Sequence, residues 1–98
     1  MRRPRTAPRP AFPLGRVVAT PGALDALADI GESVLPYLAR HARGDWGELD
    51  AIDRSANDRA LTEGSRILSA YRLKDGTKVW IITEADRSST CILLPKEY

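Results

Sequence analysis

The sequence predicts a single α+β domain, with two to three N-terminal helices packed on a C-terminal antiparallel three-stranded β-meander. Three observations predict it. Apolar residues recur at helical spacing between capping and terminating signals as far as Gly64. Beyond Gly64 the chain changes to three runs rich in β-branched, aromatic and aliphatic residues. Short turn-forming segments, KDG at 74–76 and DRS at 86–88, separate those runs.

Residues 1–12 are read as a disordered Arg/Pro-rich arm, with the domain over 13–98. The arm carries Arg2, Arg3, Arg5 and Arg9, three prolines and one aromatic anchor, Phe12. That composition favours a solvated, locally polyproline chain. GRVVAT, residues 15–20, reads as a short extended segment. Thr20 and Pro21 then suit an N-cap and first helical position. Leu24, Leu27 and Ile30 give GALDALADIG its helical stripe, which Gly31 ends. A second helix is expected through SVLPYLARHA, capped by Ser33 and stopped by Gly44. A third is expected over residues 49–64, with Leu49, Ile52, Ala56, Ala60 and Leu61 as its buried stripe and Gly64 as terminator. RILSAYRL, TKVWIITEA and STCILLP are the three strands. Alternation groups Ile67, Ser69, Tyr71 and Leu73 with Val79, Ile81 and Thr83 on one face. The opposite face carries Arg66, Leu68, Ala70, Arg72, Trp80, Ile82 and Glu84. Neither face is purely polar, so both are open to partial cover, by the N-terminal segment or by a second subunit.

Composition excludes several chemistries. Hydrophobic residues make up 43% and charged residues 29%, as in ordinary globular domains. VWII and CILL are far too short to span a bilayer, and no apolar leader precedes the domain. A cytoplasmic protein without membrane association is expected. One Cys and one His allow neither a zinc-finger spacing nor a Cys–X–X–Cys pair, and Cys91 reads as a small buried hydrophobe. Dinucleotide, P-loop and zincin motifs are absent, so neither cofactor nor metal is expected. The net charge of +2 is divided: five arginines and no acid precede residue 17, whereas ten cations face thirteen acids thereafter. The basicity therefore belongs to the arm.

Two segments concentrate reactive residue types. RHARGDWGEL, residues 40–49, holds the only histidine. His41 has the one side chain whose ordinary pKa suits a general base near neutrality. Arg40 and Arg43 flank it, while Arg66, Arg72 and Arg87 could converge from the sheet to stabilise phosphate charge. The alternative is a helix-terminal imidazole bonded to a carbonyl. Asp45 fits the N-cap of the following helix. Trp46, between two glycines, is either a core plug or an exposed anchor for a base or protein partner. In EADRSST, Glu84, Asp86, Arg87, Ser88, Ser89 and Thr90 gather at a turn. They read either as a turn with a local ion pair or as a phosphate- or carboxylate-binding cluster.

FPLGRVVATPGAL, RHARGDWGEL and WIITEADRSSTCILLPKEY together resemble a family of small bacterial proteins associated with plasmids and other mobile elements. The resemblance covers residues 12–98 and implies a genomic setting rather than a chemistry. More distantly, the order of helices, RH, glycine and strand meander resembles the small metal-independent ribonucleases of the barnase, colicin and toxin type. Three expectations follow. The first is a non-catalytic module that binds a protein, such as a host regulator or defence component, through Arg40, Asp45, Trp46 and the 84–90 cluster. The second is RNA binding or ribonuclease activity with His41, Arg43, Arg87 and Ser89 as catalytic residues. The third is DNA binding through the arm.

Overall fold

The computed structural model describes residues 10–98. Its elements run β1 (Arg16–Ala19), α1 (Pro21–Asp29), α2 (Leu35–Ala42), α3 (Ala51–Glu63), β2 (Ile67–Arg72), β3 (Lys78–Thr83) and β4 (Ser89–Leu93), with a 3-10 turn at Pro95–Glu97. The α+β class holds, but the expected three-stranded meander is corrected. The sheet has four strands in the order β1-β4-β3-β2. β1 precedes the helices and pairs in parallel with β4, joining Val17 to Thr90 and Ala19 to Ile92. The three helices carry the chain from β1 across to β2 at the opposite edge, which runs parallel to β1. β2, β3 and β4 form the expected antiparallel part, with Ser69 opposite Ile81 and Thr83 opposite Thr90.

Each helix starts where a side chain or proline answers its free N–H groups. Thr20 caps α1, accepting from Ala23 N at 3.2 Å, with Pro21 in the first turn. Glu97 reinforces that end by accepting from Gly22 N, Leu94 N and the Thr20 hydroxyl. α2 starts one residue later than expected, at Leu35, and Ser33 Oγ accepts the Leu35 N–H from outside the helix. The cap of α3 is Asp50, not Asp45: Asp50 Oδ1 accepts from Asp53 N at 2.8 Å. Gly64 ends α3 in the left-handed region.

The core forms two apolar clusters, the first on one face of the sheet and the second reaching round the β2 edge to Ala70 and Trp80 on the other. Ala23 and Leu27 of α1 and Tyr37 and Leu38 of α2 pack on Tyr71, Leu73, Val79, Ile81 and Ile92. Phe12, Trp46, Leu49 and Ala60 pack around Ile67 and Ala70. The expected stripe of α3 holds at Leu49 and Ala60, which are buried, but is corrected at Ile52, which is 79% exposed, and at Ala56, also exposed; Asn57 is the other buried residue of the helix. α3 lies beside the β2 edge rather than over the sheet. Asn57 Nδ2 donates to Leu68 O at 2.6 Å and its Oδ1 accepts from Leu68 N at 3.2 Å. One residue pair further, Ala70 N donates to Trp46 O and Ala70 O accepts from Glu48 N. The β2 edge is thereby closed to further strand pairing.

Candidate functional site

α2 delivers His41 from its last turn onto the sheet. The ring is fully buried, 5.2 Å from Phe12 and 6.1 Å from Trp46 between ring centroids, where the two apolar clusters meet. Nδ1 lies 2.6 Å from Ser69 Oγ, and Nε2 lies 2.9 Å from Thr83 Oγ1. Thr83 Oγ1 is 2.7 Å from Thr90 Oγ1, and Thr90 donates to the Leu14 carbonyl at 2.7 Å. That last bond orders the whole chain. A hydroxyl has one proton; because Thr90 gives its own to Leu14, it accepts from Thr83, and Thr83 accepts from His41. His41 therefore carries its proton on Nε2, and Ser69 donates to the bare Nδ1. Desolvation lowers the His41 pKa from its ordinary 6.5 to about 4, so the ring is neutral at physiological pH.

The expectation that His41 bonds a helix-terminal carbonyl is thus corrected: its partners are hydroxyls of β2 and β3. The Ala42 carbonyl of that helix end is taken by Ala11 N. Ser69, Thr83 and Thr90 are all fully buried with it, and no atom of the ring is presented to a substrate.

Arg40 and Asp45 form a forked ion pair, Nε to Oδ2 at 2.7 Å and Nη2 to Oδ1 at 3.3 Å. The guanidinium also lies 4.6 Å above the centre of the Tyr71 ring. This bond holds the Asp45 carboxyl below its ordinary pKa, and the same carboxylate accepts from Gly47 N. Tyr71 donates to Asp45 O at 2.6 Å, and its burial raises the phenol to about 12. Trp46 is 4% exposed and donates from Nε1 to Asp58 at 3.0 Å. It is the plug of the second cluster, and the exposed-anchor reading is corrected. Gly47 is required where it stands. Its φ is +74°, and a Cβ there would strike the Ala70 carbonyl and the Tyr71 ring.

Arg87, read as a phosphate-binding cation, is committed to backbone. Nη1 donates to Ser65 O at 2.6 Å and to the Glu84 and Ala85 carbonyls, and Nη2 donates to Ala60 O at 2.8 Å. Its guanidinium sits 5.6 Å from the Phe12 ring centre. Arg87 thus joins the end of α3 to the β3–β4 turn, with its own φ at +62°. Asp86 accepts from Ser88 N at 2.9 Å, which keeps its carboxyl below the usual range. The local ion pair expected in this turn does not form: Arg87 bonds carbonyls instead. Glu84 and Ser88 are exposed, and Ser89 is half-buried.

The structure therefore gathers His41, Ser69, Thr83 and Thr90 in the core; of these, only His41 and Thr90 are among the residues the sequence marks for a site. Arg43 is exposed and separate from this group. Arg2, Arg3, Arg5 and Arg9 lie outside the described residues. Among the described residues no group of three or more His, Cys, Asp or Glu could hold a metal ion, and no helix is long and apolar enough to cross a membrane.

No protein-family model, curated protein or solved structure matches the chain.

Proposed function

We propose that this protein is a non-catalytic interaction module that takes an extended protein segment onto the free edge of β1. The observation that carries this reading is the asymmetry between the two sheet edges. β2 is closed by Asn57 and residues 46–48, whereas β1 has no second neighbour among the described residues. Arg16 N donates to Ser88 O and Thr20 N to Ile92 O, so alternation turns the N–H and C=O groups of Val17 and Ala19 outward. Val17 and Val18 are 44% and 43% exposed. An added strand would satisfy the outward groups, cover both valines and offer an acidic residue to Arg16. The burial of His41 among its hydroxyl partners and the commitment of Arg87 to backbone carbonyls support binding over catalysis. In the setting implied by the family resemblance, the partner is a host regulator or defence component.

Val17→Pro tests this reading. It removes an outward N–H while leaving the β1–β4 bonds in place. Proteins isolated from the native host with wild-type bait should be lost with the variant, and the partner should slow amide exchange at Val17 and Ala19. Equal recovery with both baits, or protection confined to other segments, overturns edge binding.

A further inference from the structure

The outer face of the sheet suggests a second ligand, independent of the β1 edge. Val18, Cys91, Ile82 and Leu68 form one row across it, and Leu93, Trp80 and Ala70 the next. Ile82, Leu93 and Ala70 are buried, the 3-10 turn Pro95–Glu97 contacts β3, and Val18, Cys91, Leu68 and Trp80 keep some exposure. Cys91 lies here half-buried, not in the core as its sequence context suggested. Tyr98 lies over these rows. The residue is 65% exposed, and its ring lies 5.7 Å from Trp80 in an edge-to-face arrangement, with the Arg66 guanidinium 5.3 Å from its centre.

Charge is segregated on the same face. None of the thirteen acids occupies a strand, whereas Arg16, Arg72 and Lys78 do, at exposed positions, and exposed Arg66 adjoins β2. Two acids touch these surroundings: Glu84 at the end of the Arg16–Ser89 row, and Glu48, which binds Arg72 at 3.2 Å. Glu97 is consumed by Thr20, Gly22 and Leu94. Among the described residues, Arg16, Arg66, Arg72 and Lys78 thus outnumber Glu84 and Glu48 on a face that also carries exposed Tyr98 and half-buried Trp80. Like charge disfavours pairing of this face with a second copy. An acidic protein segment would satisfy the cations but leave the exposed Tyr98 ring without a stacking partner.

We infer that the outer sheet face binds single-stranded nucleic acid, with bases stacked on Tyr98 and Trp80 and phosphates held by Arg66, Lys78 and Arg16. Stacking on a half-open sheet needs unstacked bases, so a duplex is a poor ligand. Sequence preference is weak because every base offers a π-face.

The test is binding of a fluorescein-labelled oligouridylate, about fifteen nucleotides long, to the full chain, read by anisotropy at several salt concentrations. Tyr98→Ala should weaken binding about tenfold and Tyr98→Phe should restore it, because the ring rather than the hydroxyl supplies the stack. Arg66→Gln should weaken binding and lower the slope of log affinity against log salt by about 0.7. Both positions are exposed, and far-ultraviolet dichroism verifies that each variant is folded. The proposal is overturned if wild type does not bind, if Tyr98→Ala binds as tightly as wild type, or if a duplex of equal length or polyglutamate competes equally. It is also overturned if replacing Arg2, Arg3, Arg5 and Arg9 with Gln abolishes binding while the face variants leave it intact, since the arm would then be the site.

Discussion

His41 Nε2 and Thr83 Oγ1 stand 2.9 Å apart in the core, and the neutral ring is the donor because Thr83 has already given its proton to Thr90. Protonating His41 would put a charge in a fully buried site and force Ser69 to stop donating to Nδ1. The folded-state pKa of about 4 lies below the ordinary 6.5. Unfolded chains therefore bind the proton first as pH falls. Stability is full above pH 6.5 and declines progressively toward pH 4, by about 3 kcal/mol if His41 acts alone. Thermal unfolding between pH 7 and pH 5 should show this loss before most carboxylates titrate. His41→Phe should be less stable at pH 7 yet show a flatter profile across that window. An unchanged slope in the variant would assign the pH dependence elsewhere.

The polar chain also predicts unequal effects of its hydroxyls. Thr90→Val leaves the Leu14 carbonyl without its donor and Thr83 without its acceptor, and should destabilise the fold by about 2–3 kcal/mol. Ser69→Ala removes a terminal member and leaves only the imidazole Nδ1 unsatisfied, a loss of about 1–2 kcal/mol. Urea denaturation of both variants gives the order, and nitrogen chemical shifts should report His41 as the Nε2–H tautomer in wild type. Equal losses would mean that the chain does not run in the direction deduced.

The sequence announced those features whose causes are local. Thr20-Pro21, Gly64 and the KDG turn each act within a few residues, and each stands where expected. The parallel β1–β4 ladder was not legible as such, because four residues, RVVA, carry no period that distinguishes a paired strand from a loop. His41 was legible as chemically special but not as buried, since Ser69 and Thr83 reach it only through the register of the sheet. Asp45 had the composition of a cap, yet Arg40, five residues earlier on α2, takes its carboxylate and Asp50 caps α3 instead. Ile52 broke the expected stripe because α3 meets a strand edge, where Asn57 is the more useful inward residue.

Asn57 supplies one donor and one acceptor to the two outward groups of Leu68. Asn57→Asp keeps the volume and the acceptor but removes the donor to the Leu68 carbonyl, placing a carboxylate oxygen against it. Asn57→Leu leaves both backbone groups unpaired. Each should destabilise the protein by about 2–4 kcal/mol in urea denaturation, and both should raise aggregation by opening the β2 edge. Light scattering at equal protein concentration checks the second effect. Monodisperse, wild-type-like behaviour of Asn57→Leu would mean that residues 46–48 protect the edge unaided.

Arg87 separates a structural role from an anion-binding one. Its guanidinium donates to four carbonyls from three stretches of chain, a geometry that a single ammonium cannot reproduce. Arg87→Lys conserves charge and should still lose about 1–3 kcal/mol of stability. A phosphate-binding role would instead tolerate Lys with little structural effect. Arg87→Gly relieves the positive φ but removes every bond, so it should be the less stable of the two. Thermal melts of wild type and the two variants with and without 50 mM phosphate, about 50-fold above a millimolar Kd, decide between the roles. Stabilisation of wild type by phosphate that disappears in Arg87→Lys would assign Arg87 to an anion site. Melts unaffected by phosphate, in the order wild type, Lys, Gly, would leave it as the tie between α3 and the β3–β4 turn.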